Sequence, residues 1–379
     1  MTVLSGRAQR SRQARPVTRP VRGVTSAAAV DVVVPGAIDD QARPSGGNIY
    51  DRRLCQGLTD VGWVVREHRL AGSWPVPNDT DRGLLAAVVA RVPRGGLLLV
   101  DGLIASAAPD ELRRCSVLGI RLIVLVHLPL GVAAPPESAV ATRERAVLAG
   151  ADVLIATSRW TGRWLVDHYR LPSERVHVAE PGVASAGLTW PTAAGGRLLC
   201  VGALAPHKGQ DLLVSALARL GEFDWRCGLV GPEAEPAYGR SVRDLITSSG
   251  LTERVELTGP LAPAELMARY AETDLVVVPS RIETYGMVVC EAHARGIPVI
   301  ATLAGGLPDT LGLAGDGSGP GLLIPVGDPE SLADALRRWL TDETLRSRLR
   351  DAAAARRQML PAWSSTVEHI DVILSGLVP

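Results

Sequence analysis

The chain has 379 residues, 46% hydrophobic and 21% charged, which is a globular composition too long for one core and comfortable for two domains. It excludes a disordered or collagen-like chain. Forty Lys and Arg balance forty Asp and Glu, which argues against a protein that works by coating nucleic acid.

Residues 1–28 carry Arg7, Arg10, Arg12, Arg15, Arg19 and Arg22, no acid and no apolar period, and read as a disordered basic tail. No apolar middle region follows these arginines, so the tail is not a secretory signal. From Ala29 onward, strands are expected at Val30–Val34, Trp63–His68, Leu97–Asp101, Leu122–Val126, Val153–Thr157 and Val176–Ala179. Helical patterns lie between them, near Ile49–Val61, Gly83–Val92, Pro109–Leu118, Glu137–Ala149 and Arg159–Tyr169. Strands separated by helices imply crossover units and a parallel sheet, with ligands at the carboxyl ends of the strands. A Gly-, Ala- and Thr-rich stretch over 184–196 breaks the rhythm and reads as an interdomain connection.

The rhythm restarts with strands at Leu198–Val201, Trp225–Val230, Val255–Thr258, Leu275–Pro279, Val299–Ala301 and Leu322–Val326. Helices fall near Lys208–Leu220, Tyr238–Ser248, Pro263–Tyr270, Gly286–Arg295, Glu330–Leu340 and Glu343–Gln358. The expected class is therefore α/β, with doubly wound domains over 29–184 and 185–358 facing one cleft, and a last helix within 359–379. Five scattered cysteines with no C-x-x-C pair read as buried, reduced thiols of a cytoplasmic protein. No apolar run approaches the roughly 18 to 20 residues that span a bilayer.

Chemistry is concentrated in Pro279-Ser-Arg-Ile-Glu-Thr-Tyr-Gly-Met-Val-Val-Cys-Glu-Ala-His-Ala-Arg-Gly-Ile-Pro-Val-Ile300, where a buried strand ends in a loop and a helix is expected to start near Tyr285. A helix N-terminus offers unpaired backbone N–H groups to an anion. Glu283 and Glu291 are eight residues apart, about 12 Å along a helix, beyond the roughly 5 to 9.5 Å of a glycosidase pair. From the residues alone they read equally as a capping and a solvated acid. Lys208 is the only lysine of the chain, at the start of a helix, and suits a phosphate or plain solvation. Gly46-Gly47 precedes a helix expected at Asn48 or Ile49, and glycine there lets backbone approach a ligand closely. His127 ends an apolar strand, a place more often structural than catalytic. No D-x-D-type acidic cluster that would ask for a metal adjoins these motifs.

Five stretches occur in a fixed order: Ser45-Gly-Gly-Asn48, His127 after a strand, Val201-Gly-Ala-Leu-Ala-Pro-His-Lys-Gly209, Glu283 to Glu291, and Gly305-Gly306. Together they resemble the retaining glycosyltransferases of family four, which have the GT-B fold and an E-x7-E signature. The resemblance implies two Rossmann-like domains and a C-terminal helix, marked by Trp363, that crosses back to the first. It implies an enzyme that moves a sugar from a nucleotide-diphosphate donor to an acceptor hydroxyl without metal or further cofactor. Lys208 and the backbone N–H groups of Met287 and Val288 would hold the diphosphate, with Gly46 and Gly47 beside it. Gly286 and Glu283 would hold sugar hydroxyls, Glu291 the ribose diol, and His127 would orient the sugar. A family arginine is replaced by Ala203, so either donor affinity is lower or Arg281 or another arginine replaces it.

The expected acceptor is a small molecule, a natural product or a saccharide. Lipid-carrier or envelope glycosylation is the alternative, and a non-catalytic nucleotide-binding partner subunit is a reading of another class. Trp63, Trp74, Trp160 and Trp164 are candidates to line the acceptor surface or simply to pack. Arg159, Trp160, Arg163 and Trp164 read as a solvated helix face rather than a membrane-facing patch.

Overall fold

A computed structural model describes residues 28–378 of the chain. The arginine-rich tail falls outside the described residues apart from Ala28, whose carbonyl accepts from the Val64 N–H at 2.9 Å.

Six strands build the first sheet: β1 (Ala29–Pro35), β2 (Val64–Leu70), β3 (Leu97–Asp101), β4 (Arg121–Val126), β5 (Val153–Ala156) and β6 (Val176–Val178). All pair in parallel, in the order β2-β1-β3-β4-β5-β6. The central strands are continuous apolar runs because helices cover both faces, as in Leu97-Leu-Leu-Val100 of β3, buried throughout. Edge strand β2 instead carries Arg66, Glu67, His68 and Arg69, polar side chains of the kind that discourage edge-to-edge pairing.

The second sheet repeats the design with β7 (Arg197–Val201), β8 (Arg226–Val230), β9 (Val255–Gly259), β10 (Leu275–Val278), β11 (Val299–Thr302) and β12 (Gly321–Ile324), in the order β12-β11-β10-β7-β8-β9. Strand order reverses beside β1 in the first sheet and beside β7 in the second. A crevice opens at such reversals because the connections on either side leave in opposite directions.

The segment between the sheets has no regular structure and is pinned by buried Asp274. The Thr192 N–H and hydroxyl both donate to that carboxylate at 2.6 Å. The last helix, Trp363–Ser375, returns to the first domain. Its Val367, Ile370 and Leu374 share a core with Val30, Val32, Tyr50 and Leu54, and the Trp63 indole donates to Asp371 at 2.8 Å.

Among the boundaries that differ from expectation, two bear on the cleft. The first helix begins at Gly46, not Asn48, because the Ser45 hydroxyl accepts from the Asn48 N–H and makes both glycines the opening of the first turn. The helix expected near Tyr285 spans only Met287–His293, because Gly286 before it takes φ +85, a left-handed conformation outside any helix. Glu283 consequently sits in a loop, and a helical rise does not measure its separation from Glu291. Two short helices, Gly102–Ala105 and Leu307–Leu311, were not expected.

Candidate active site

The carboxyl ends of the two sheets face each other across a cleft of about 730 Å³. Gly46, Gly47, His127, Lys208, Glu283, Gly286, Met287, Val288 and Glu291 all line it. Residues from four of the five stretches of sequence thus meet in one place.

On the second-domain wall, the loop after β7 turns through Pro206–Lys208, and Gly209 at φ +71 starts the next helix. A Cβ on Gly209 would lie 2.1 Å from the Pro279 carbonyl oxygen, so only glycine lets this loop meet the one after β10. That approach brings Lys208 Nζ to 2.6 Å from Glu283 Oε2, a half-buried ion pair. Glu283 is held from behind: the Gly306 N–H donates to its carbonyl at 2.9 Å, and a Cβ on Gly305 would stand 1.9 Å from the same oxygen. Met287 and Val288 open the following helix, where backbone N–H groups have no intrahelical acceptor. Glu291, one turn further, accepts from the Tyr270 hydroxyl at 2.8 Å.

On the opposite wall, Gly46 faces Met287 across the cleft, with 3.2 Å between its added Cβ and the sulfur. Gly47 packs on His127, its added Cβ 3.2 Å from the ring Cδ2. His127 Nε2 turns inward to Asp51 Oδ1 at 2.8 Å, with Asp101 Oδ2 at 3.5 Å. Burial disfavours the charged ring, but the charge and hydrogen bond of Asp51, joined by Asp101, outweigh it and raise the His127 pKa. The Asp101 carboxyl is pushed up to about 7, first by burial and then by the charge of Asp51, with His127 acting in the opposite sense. The ligand atoms of these three residues lie within 4.8 Å of one another.

Asp51 and Asp101 escaped the sequence reading. A signal existed for Asp51: with Leu54, Cys55 and Leu58 it occupies the i, i+3, i+4, i+7 stripe that the helix buries, a place for an apolar residue.

Arg281 does not stand in for the arginine missing at Ala203. Its guanidinium is clamped on Asp211 at 2.8 and 2.7 Å and does not line the cleft. Among the described residues Arg53, on the first-domain wall, lines the cleft without an ion pair. His207 also lines the cleft, its pKa lowered first by burial and then by Lys208. His293 is fully buried and away from the cleft. Trp63 packs in the core and Trp164 stacks on His168, 4.5 Å between centroids. Arg163 pairs with Asp309 of the other domain at 2.9 Å, and Arg159 with Glu180 at 3.4 Å. All five cysteines are buried and free.

Family models place this arrangement. The description "Glycosyltransferase Family 4" matches residues 45–186, and "Glycosyl transferases group 1" matches 195–356. A D-inositol 3-phosphate glycosyltransferase of Catenulispora acidiphila is 31% identical over 353 residues, 84% of this chain and 80% of that protein. The chain belongs to glycosyltransferase family 4. A protein of the same name from Kineococcus radiotolerans is 37% identical over 260 residues, 62% of this chain, and the match spans only 59% of that relative's length. The fold is also that of HepE from Anabaena in complex with UDP-glucose, with a TM-score of 0.73, 20% identity, and coverage of 92% of this chain and 99% of that one. Both sheets and the returning helix are those of the GT-B architecture. Among the described residues no helix is long and apolar enough to cross a membrane.

Proposed function

We propose that this glycosyltransferase moves a sugar from a nucleotide-diphosphate donor to a hydroxyl of a small-molecule acceptor, with retention of anomeric configuration and without a metal ion. The observation that carries this reading is the meeting of Lys208, Glu283 and the opening of the Met287–His293 helix at one end of the cleft. An ammonium and two unpaired backbone N–H groups are the complement of a departing diphosphate, whose charge grows as the sugar–oxygen bond breaks. Met287 and Val288 would hold the phosphates with Lys208. Glu283, released from the ammonium by the incoming phosphate, would accept from sugar hydroxyls beside Gly286, and Glu291 would accept from the ribose diol. Retention follows if acceptor and leaving group share one face of the sugar, with the departing phosphate taking the acceptor proton, so that no protein base is required.

The cation role is filled by Lys208 and backbone dipoles, which is the argument for metal independence. Relatives named for an inositol phosphate support an acceptor of small-molecule size, as does the enclosed volume. The HepE complex with UDP-glucose supports a nucleotide-sugar donor.

Calorimetric titration with UDP, GDP, dTDP and ADP in EDTA tests the donor half, with Lys208→Ala as control. Selective binding that the variant loses supports the reading. Binding to none of the four turns it toward the non-catalytic partner subunit, for which the missing arginine at Ala203 is the favouring observation. NMR of the anomeric proton in the product tests retention.

A further inference from the structure

We infer that Asp51 and Asp101 are positioning residues for His127: they grip Nε2 from behind and present Nδ1 to the cleft as a hydrogen-bond donor toward the transferred sugar or its leaving diphosphate. This rests on the transferase reading above. Neither aspartate lines the cleft, whereas His127 does. Asp51 is 2% exposed and Asp101 4%. A nitrogen that faces two carboxylate oxygens, at 2.8 and 3.5 Å, carries its proton toward them, so Nε2 is the inward N–H. Nδ1 has no protein partner among the described residues and is not shut off from solvent.

The rest of the ring is clamped. Gly47 closes the Cδ2 edge, and Tyr50 packs edge-on with centroids 5.2 Å apart at 71°. The titratable groups that face the ring are Tyr50, Asp51 and Asp101; Arg52 and Arg53 of the same helix line the cleft beside it, and across the cleft stand His207, Lys208 and Glu283. Those whose charge acts on the imidazole are Asp51 and Asp101.

The charge count explains why two acids are present. One buried aspartate opposite one imidazolium is neutral, and a second ionised aspartate would leave an uncompensated buried charge. Asp101 relieves this by keeping a proton up to about pH 7. The result is a cation in front, an anion behind it, and a proton in reserve. A fixed cationic donor at the cleft wall stabilises negative charge that grows in the transition state without reorganising. Asp51, Asp101 and His127 could instead hold a divalent ion, which would take the place of the ring proton, and the test below separates the two readings.

The test combines ring-nitrogen NMR of the histidines with pH profiles of turnover, on full-length wild type, Asp51→Asn and Asp101→Asn, with His127→Gln to assign the signal. Turnover is read in EDTA as nucleoside diphosphate released from UDP-, GDP-, dTDP- or ADP-glucose, the sugar passing to added D-inositol 3-phosphate, for which the relatives are named, or to water. Wild-type His127 should titrate above the ordinary value. Asp51→Asn removes the anion that favours the cation, so the titration should fall by about one unit or more. Turnover should fall by at least about tenfold with KM little changed, and its alkaline limb should move to lower pH. Asp101→Asn should move that limb the same way by less, and it carries the test alone if Asp51→Asn does not fold.

An unchanged His127 titration in a folded variant overturns the inference, as does a turnover loss matched by lower Tm with no shift of the limb. Activity abolished by EDTA and restored by Mn²⁺ or Zn²⁺ overturns it in favour of a metal site. A wild type that neither binds any of the four nucleoside diphosphates nor releases one sinks the transferase reading itself, and the catalytic use of His127 with it, even where the NMR titration behaves as stated.

Discussion

Lys208 and Glu283 hold each other at 2.6 Å, so a donor phosphate and the carboxylate would compete for one ammonium. Lys208→Ala should weaken nucleoside-diphosphate binding by about 1.5 to 3 kcal/mol, the worth of a charge-assisted hydrogen bond, read by calorimetry. Glu283→Gln should separate two effects: nucleotide binds as well or more tightly, because the competitor is gone, while turnover falls. Equal loss of both would deny Glu283 its sugar-side role. Gly47→Ala places a methyl 3.2 Å from the His127 ring and should reduce turnover more than it reduces Tm. Residue by residue, the cleft was legible where a residue type stands out from its surroundings, as with one lysine among arginines. Asp51 was not, because an acid on a buried helical stripe announces itself only when the stripe is drawn. Arg281 was misjudged because nothing in the sequence shows Asp211 beside it.

Elements owe their placement to a few backbone constraints. The strands were legible because parallel strands covered on both faces are unbroken apolar runs. The helix starts were less so: Ser45 pulls one forward over two glycines and Gly286 pushes another back, effects of capping and of a positive φ that apolar periodicity does not carry. Four- and five-residue helices such as Gly102–Ala105 are too short to show a period. The loop of Glu283 depends on its neighbour after β11. With φ +53 and a Cβ position 1.9 Å from the Glu283 carbonyl, Gly305 has no room for a side chain. Gly305→Ala should therefore lower Tm and donor affinity together, measured by thermal unfolding and calorimetry, whereas a surface alanine would change neither.

Across the whole molecule, two domains are tied by a connection and a returning helix. Gly57 touches that helix so closely that an added Cβ would lie 2.3 Å from Val367 Cγ2. Gly57→Ala should cost about 1 to 3 kcal/mol of stability by overpacking, seen in denaturant unfolding. Acid should destabilise the second domain through His293, whose pKa is held at about 3 by burial and then by Arg356. The unfolded chain takes up that proton below about pH 6.5 and the folded chain does not, so stability present above 6.5 is lost as pH falls toward 3. His293→Leu should flatten that decline in a Tm-versus-pH series. The single lysine of 379 residues lines the cleft. An amine-directed acylating reagent therefore has one side-chain target, and a lysine-specific protease one bond, Lys208–Gly209. Occupancy of the donor site becomes readable as protection of a single mass shift or a single cut, without labelling the donor.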